Sequence, residues 1–189
     1  QPETISDSPR ECTVTGAVPQ PLIVIAYPMA AYGERGYIEA DILTDILASG
    51  RSSRYYRQLL MADPLFTEVD ASIAGSEEPG FLMLRARLSD ASQKSVERAR
   101  TILTTVASEC TGITDRELTR AVNRYESNHQ FSMLSYLTRA QELALSEMHG
   151  EDINSRVAAY RSVTTADVAS ATESIINPSH ACTLIYLPQ

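Results

Sequence analysis

Residues 36–60 read GYIEADILTDILASGRSSRYYRQLL, and their spacing predicts a helical hairpin. Ile38, Ile42 and Ile46 recur every four residues with Leu43 and Leu47 beside them, one apolar stripe on a 3.6-residue period. Glu39 and Asp41 fall in the first turn, where the helix dipole favours anions. Gly50 stands where a left-handed C-terminal cap is wanted. Ser52 or Ser53 can then accept from the free amides of a second helix carrying Tyr55, Tyr56, Leu59 and Leu60.

On the N-terminal side, residues 1–10 are polar with two prolines and are expected to be a disordered lead-in or linker, followed by one domain over 11–189. Cys12 to Val18 alternates around Val14 and Val18. After Pro19 and Pro21, the run Leu22 to Tyr27 is apolar enough for a strand buried on both faces, closed by Pro28. On the other side, Asp63-Pro64 ends the second helix, because a residue before proline is pushed out of the helical region. Phe66–Ala74 and Phe81–Leu88 then flank a turn over Gly75–Gly80. The later strand alternates Phe81, Met83, Arg85 and Arg87 against Leu82, Leu84, Ala86 and Leu88, which predicts an antiparallel hairpin with one wet face. Arg85 and Arg87 share that face, where a solvated sheet surface accounts for them and a substrate-carboxylate site is the alternative.

The second half reads as helical. Val96, Ala99, Leu103 and Val106 keep helical spacing over 91–110, with a turn at Thr111-Gly112. Thr114-Asp115-Arg116-Glu117 is a capping box. From Leu118 through Val122, Tyr125, His129, Met133, Tyr136, Ala140 and Ala144 an apolar or semi-apolar stripe continues to Met148 on a kinked helix that Gly150 ends. A shorter helix is expected over Ile153–Tyr160, another from Thr164 or Thr165 to Ile176, and a last strand over Ala181–Leu187.

Composition limits what such a chain can do. With 189 residues, 43% of them hydrophobic, it can build a core that needs no metal or disulfide staple. The net charge of −8 argues against nucleic acid, whose phosphates demand a basic face. Cys12, Cys110 and Cys182 lie far apart with no paired spacing, so no metal knuckle or redox motif is written. No apolar run reaches the roughly 18 residues of a membrane span. The chain opens at Gln1 rather than methionine, which is expected of a processed or excised piece.

The order strand, strand, two helices, strand, strand, several helices, strand predicts an α+β domain: two layers, a mixed sheet of about five strands with helices packed on one face. Gly50, Ser52, Ser53, Arg54, Tyr56 and Leu59 match the Gly-x-Ser-Ser-Arg-Leu-Tyr-x-x-Leu wording of the second domain of pitrilysin and insulinase-class zinc metallopeptidases, the class of mitochondrial processing peptidase. Gly112–Leu118 resembles that class's Gly-Val-Thr-x-x-Glu-Leu. Tyr160, Val163, Thr164, Asp167 and Val168 resemble its Tyr-x-x-Val-Thr-x-x-Asp-Val. The resemblance spans about residues 20–187 and implies a bacterial, C-terminal, non-zinc domain.

Zinc proteolysis in that class uses His-x-x-Glu-His on a helix, and the sequence lacks it: His129, His149 and His180 are scattered. Glu126 and His129 share a helix face, but without a second such pair packing or a hydrogen bond explains them better than a metal. No catalytic residue, metal ligand or cofactor is expected in this piece. The resemblance places zinc in an N-terminal domain of the parent protein. It also places a substrate-binding arginine and tyrosine at Leu60 and Thr67, where neither residue can do the same work. Arg57, nearly a turn earlier, is a displaced substitute or a surface residue. The expected role is one wall of a peptide-enclosing chamber, packed on the zinc-bearing domain, with a second homologous subunit and a peptide as further partners, in the periplasm or cell envelope. The alternatives are a non-proteolytic structural subunit of the same fold, or an unrelated α+β binding module.

Overall fold

The computed structural model describes residues 8–75 and 77–189. Its five strands are β1 (Arg10–Gly16), β2 (Leu22–Met29), β3 (Phe66–Ala74), β4 (Gly80–Leu88) and β5 (Cys182–Pro188). They form one mixed sheet in the order β1-β5-β2-β4-β3. β1 runs parallel to β5, and the other pairings are antiparallel, including the β3–β4 hairpin. The described residues also form six α-helices: α1 (Tyr37–Ala48), α2 (Gln93–Ser108), α3 (Asp115–Ser132), α4 (Tyr136–His149), α5 (Ser155–Ser162) and α6 (Thr165–Ile175).

The core lies between one face of the sheet and α1, α2 and α6. Ile23, Ile25, Tyr27, Leu82, Leu84 and Leu88 point inward from the strands, and Ile42, Leu43, Ile46, Leu47, Leu103 and Val168 meet them, all at most 2% exposed. Local chemistry starts and stops these helices. Ser92 caps α2, and Thr114 and Thr164 form capping boxes with Glu117 and Asp167. Gly50 and Gly150 end α1 and α4 at positive φ, a region that side chains with a Cβ avoid.

Several expectations are corrected. β2 is buried on one face only and continues through Pro28 to Met29. Among the described residues helices cover only one side of the sheet, and pairing with β5 stops at Ala26, so Pro28 has a strand on one side alone there and its missing N–H is tolerated. The helix after Gly50 is a short coil that widens to a π-turn over Tyr56–Leu60, closed by the Met61 N–H on the Tyr56 carbonyl at 3.0 Å. The long C-terminal helix breaks into α3 and α4 at Met133–Ser135, and beyond Tyr125 its apolar residues are not absorbed into the core. Of the lead-in expected over 1–10, residues 1–7 lie outside the described residues, and Arg10 already belongs to the sheet through its N–H on the Ala181 carbonyl at 2.9 Å. The turn residue Ser76 is likewise outside them.

Candidate functional site

The segment Gly50–Leu59 is held by a buried arginine. Ser53 Oγ accepts the Tyr56 N–H at 3.4 Å, starting the short helix that carries Arg54 and Tyr55 inward. Arg54 donates to both carboxylate oxygens of Glu117, at 2.8 and 3.0 Å, and to the carbonyls of Glu109 at 2.7 Å and Gly112 at 3.3 Å. Their side chains are only 9% and 13% exposed. The guanidinium thereby closes the C-terminal end of α2 against the N-terminal end of α3. The same Glu117 accepts the Thr114 N–H at 2.9 Å, so capping box and ion pair share one carboxylate. The Arg54 hydrogen bonds, joined by those from Thr114, hold the Glu117 carboxyl down at about 2 against the opposing effect of burial. Arg120 reaches back to the Ser52 carbonyl at 2.7 Å. Tyr55 is fully buried, with its hydroxyl donating to the Leu103 carbonyl at 3.0 Å.

These residues join the end of α2 to the start of α3 through hydrogen bonds and burial. Ser53, Arg54 and Leu59 are buried, whereas Gly50 and Ser52 are exposed and Tyr56 is half-buried. The sequence shows both motifs but not their union, because Arg54 and Glu117 stand 63 residues apart.

The other candidates separate. Leu60 is half-buried against the core. Thr67 sits at the bulge that opens β3 and donates to Gln20 Oε1 at 3.0 Å. Arg57 is exposed. Glu126 accepts Arg161 at 2.6 Å, and the His129 ring stacks on Tyr125 at 6.0 Å, so that pair is spent on packing and ion pairing. Arg85 and Arg87 pair with Asp70 at 2.6 Å and Glu68 at 2.9 Å across the β3–β4 hairpin. Among the described residues, no group of three or more His, Cys, Asp or Glu is placed to hold a metal ion.

A second polar cluster escaped sequence reasoning. Tyr160 donates to Asp41 at 2.6 Å and stacks on Tyr125 with 3.4 Å between ring centroids. Burial raises the Asp41 carboxyl, and the Tyr160 hydroxyl opposes it. A cleft of about 840 Å³ opens beside α2 and the β1–β5 end, lined by Arg10, Glu11, Tyr27, Arg100, Thr104 and Thr183, and it gathers none of the predicted residues.

A family model described as the peptidase M16 inactive domain matches residues 2–125, more than half of the chain. The chain belongs to that family. No curated protein matches it. Solved structures share the fold of this M16 inactive domain. A protease from Helicobacter pylori superposes with a TM-score of 0.86 at 14% identity, over 99% of this chain and 46% of that one. The inactive peptidase domain of a provisionally named zinc protease from Bordetella parapertussis gives 0.79 at 21% identity, over 92% and 96%. The periplasmic protease PqqL from Escherichia coli gives 0.75 at 13% identity, over 97% and 21%. At these identities the likeness is one of fold. The chain spans less than half the length of the Helicobacter pylori protease.

Proposed function

We propose that this M16 inactive domain forms one wall of a peptide-enclosing chamber in a zinc peptidase, packed against a zinc-bearing domain of its parent protein. The observation that carries this reading is the one-sided sheet. Helices cover one face, and the register sets two cross-strand rows on the other: Cys12, Leu184, Val24, Arg85, Asp70 and Val14, Tyr186, Leu22, Arg87, Glu68. The β1–β5–β2 part of that surface is largely apolar, and the β4–β3 part carries the two arginine–carboxylate pairs. An extended peptide resting there finds apolar contact bordered by polar groups, while its bond-breaking chemistry comes from elsewhere.

Leu60 and Thr67 support a division of labour. Leucine donates no hydrogen bond, and the threonine hydroxyl is engaged by Gln20, so a substrate-positioning arginine and tyrosine would come from a second, homologous subunit. The same two residues favour a second reading, a structural or assembly subunit that keeps the fold without proteolysis. The likeness to a periplasmic protease supports a place in the periplasm or cell envelope. Among the described residues no helix is long and apolar enough to cross a membrane.

The coding sequence upstream of Gln1 tests this reading. A His-x-x-Glu-His helix in frame within roughly two hundred codons, the length of one such domain, is expected. An upstream domain without the histidines sinks the peptidase reading in favour of the scaffold. One zinc held tightly by the isolated chain would also contradict it.

A further inference from the structure

The cleft of about 840 Å³ opens between α2 and the segment that leads from α6 into β5, on the helix-covered side of the sheet. Ile25 and Thr183 face each other in the β2–β5 register and form its floor with Tyr27. Two hydroxyls stand there without a partner. Tyr27 is 2% exposed and Thr183 7%, and neither side chain has a hydrogen bond among the described residues. The buried polar atoms sealed off without a partner are Arg120 Nη2, Ser146 Oγ and Arg156 Nε, whereas the Tyr27 and Thr183 hydroxyls open onto the cleft. A hydroxyl held this deep is costly unless something satisfies it. Burial pushes the Tyr27 hydroxyl up to about 12, so it keeps its proton and donates.

The wall opposite supplies the complementary half. Thr101, Thr104 and Ser108 line the cleft from α2, and each gives its proton to a helix carbonyl, those of Glu97, Arg100 and Thr104 in turn, all at 3.0 Å. Their oxygens keep lone pairs free, so this wall accepts. Thr104 and Ser108 are separated by about 6 Å along the helix axis. An extended chain repeats its N–H groups on one side at roughly 6.6 Å, close to that spacing. Around these groups the lining is apolar, from Ile25, Ile176, Pro178 and Ala181. At the mouth two arginines, Arg10 and Arg100, are balanced by two carboxylates, Glu11 and Glu109, with Arg100 paired to Glu11 at 2.6 Å.

We propose that this cleft binds a short, uncharged, extended peptide segment, its carbonyls accepting from Tyr27 and Thr183 and its N–H groups donating to Thr104 and Ser108. An amide backbone offers both halves at once, with side chains to meet the apolar lining. A sugar, hydroxylated all round, would strand hydroxyls against Ile25, Ile176 and Pro178. A charged ligand finds no net charge at the mouth to hold it. The cleft is of the size that encloses a small ligand. It lies on the opposite side of the sheet from Leu22, Val24 and Arg85, so it is separate from the proposed chamber wall and requires nothing of zinc.

Titrating the chain with the capped tripeptide N-acetyl-Ala-Leu-Ala-amide, followed by amide proton–nitrogen NMR spectra, tests this. Shifts are expected at Thr104, Thr105, Ser108 and Thr183, saturating with a Kd below about 1 mM. Tyr27→Phe and Thr183→Val should each weaken binding about three- to tenfold. Neither should lower the melting temperature, because neither hydroxyl has a protein partner to lose. Methylating the leucine nitrogen of the probe should weaken binding to a similar degree, since one N–H is removed. No shift at ~10 mM probe, or an affinity that both variants retain, overturns the site. Shifts produced by methyl glucoside and not by the tripeptide overturn the peptide assignment. Shifts confined to Val24, Leu184 and Tyr186 would put the peptide on the open face, which overturns this site and leaves the chamber reading standing.

Discussion

Replacing Arg54 with methionine keeps most of the buried stem and removes the guanidinium. Glu117 then loses two donors, and the Glu109 and Gly112 carbonyls lose theirs, although the Thr114 N–H still serves the carboxylate. Breaking a buried pair from one side costs about 3–5 kcal/mol. The side chains here are about a tenth exposed, which argues for the lower end, about 3 kcal/mol. In a domain of this length each kcal/mol moves the midpoint by about 2–4 °C, so the variant should melt roughly 6–12 °C lower at pH 7. The pH dependence has a definite sign. The folded Glu117 carboxyl lies at about 2, below its unfolded value of about 4.3, so the stabilisation is complete above the unfolded value and fades as pH falls through the folded one. About a third of the gap between wild type and variant should be gone by pH 3.5. Thermal melts followed by circular dichroism at both pH values decide the matter. A midpoint change under about 2 °C at pH 7, or a gap that does not narrow in acid, would refute the clamp.

Other perturbations follow from single contacts. Tyr160→Phe removes the donor to a half-buried Asp41 and should cost about 1 kcal/mol at pH 7, read as a lower urea midpoint at unchanged m-value. Burial raises the folded Asp41 carboxyl, so its charge weighs against the fold above that value, and Asp41→Asn should be neutral or stabilising at pH 7. Gly50→Ala forces a Cβ into φ 78° with Arg124 Nη1 at 3.3 Å, and should cost about 1–2 kcal/mol in the same titration. Cys110 is buried with its thiol pushed up to about 12, whereas Cys12 and Cys182 are exposed. Ellman's reagent should therefore titrate two thiols natively and the third only in denaturant. Rapid native reaction of Cys110 would contradict the packing.

Features with local causes were legible in sequence. The β3–β4 hairpin follows from alternation, and α1, α2 and α6 follow from periodicity, bounded by Gly50 after α1, the turn at Thr111-Gly112 after α2 and Thr164 before α6. What depends on distant partners was not. An apolar run such as Leu22–Tyr27 does not say which face the helices will cover, and β2 proved buried on one side. The stripe through α3 and α4 has core periodicity throughout, yet only its first part meets a core. The motif around Arg54 was visible as a pattern, but its physical reason, a guanidinium joining four acceptor atoms of Glu109, Gly112 and Glu117, needed α2 and α3 brought together. Leu60 and Thr67 could be named as positions, and only the fold gave Thr67 its bulge and its bond to Gln20.

The role proposed for this domain is to contribute to peptide hydrolysis without carrying the metal. The most direct measurement is the zinc content and peptide-cleaving rate of the parent protein prepared with and without residues 1–189. One zinc is expected in either preparation, held outside this domain, with a rate that collapses when the domain is removed. Full activity without it, or a parent that binds no zinc and cleaves no peptide, would contradict that role.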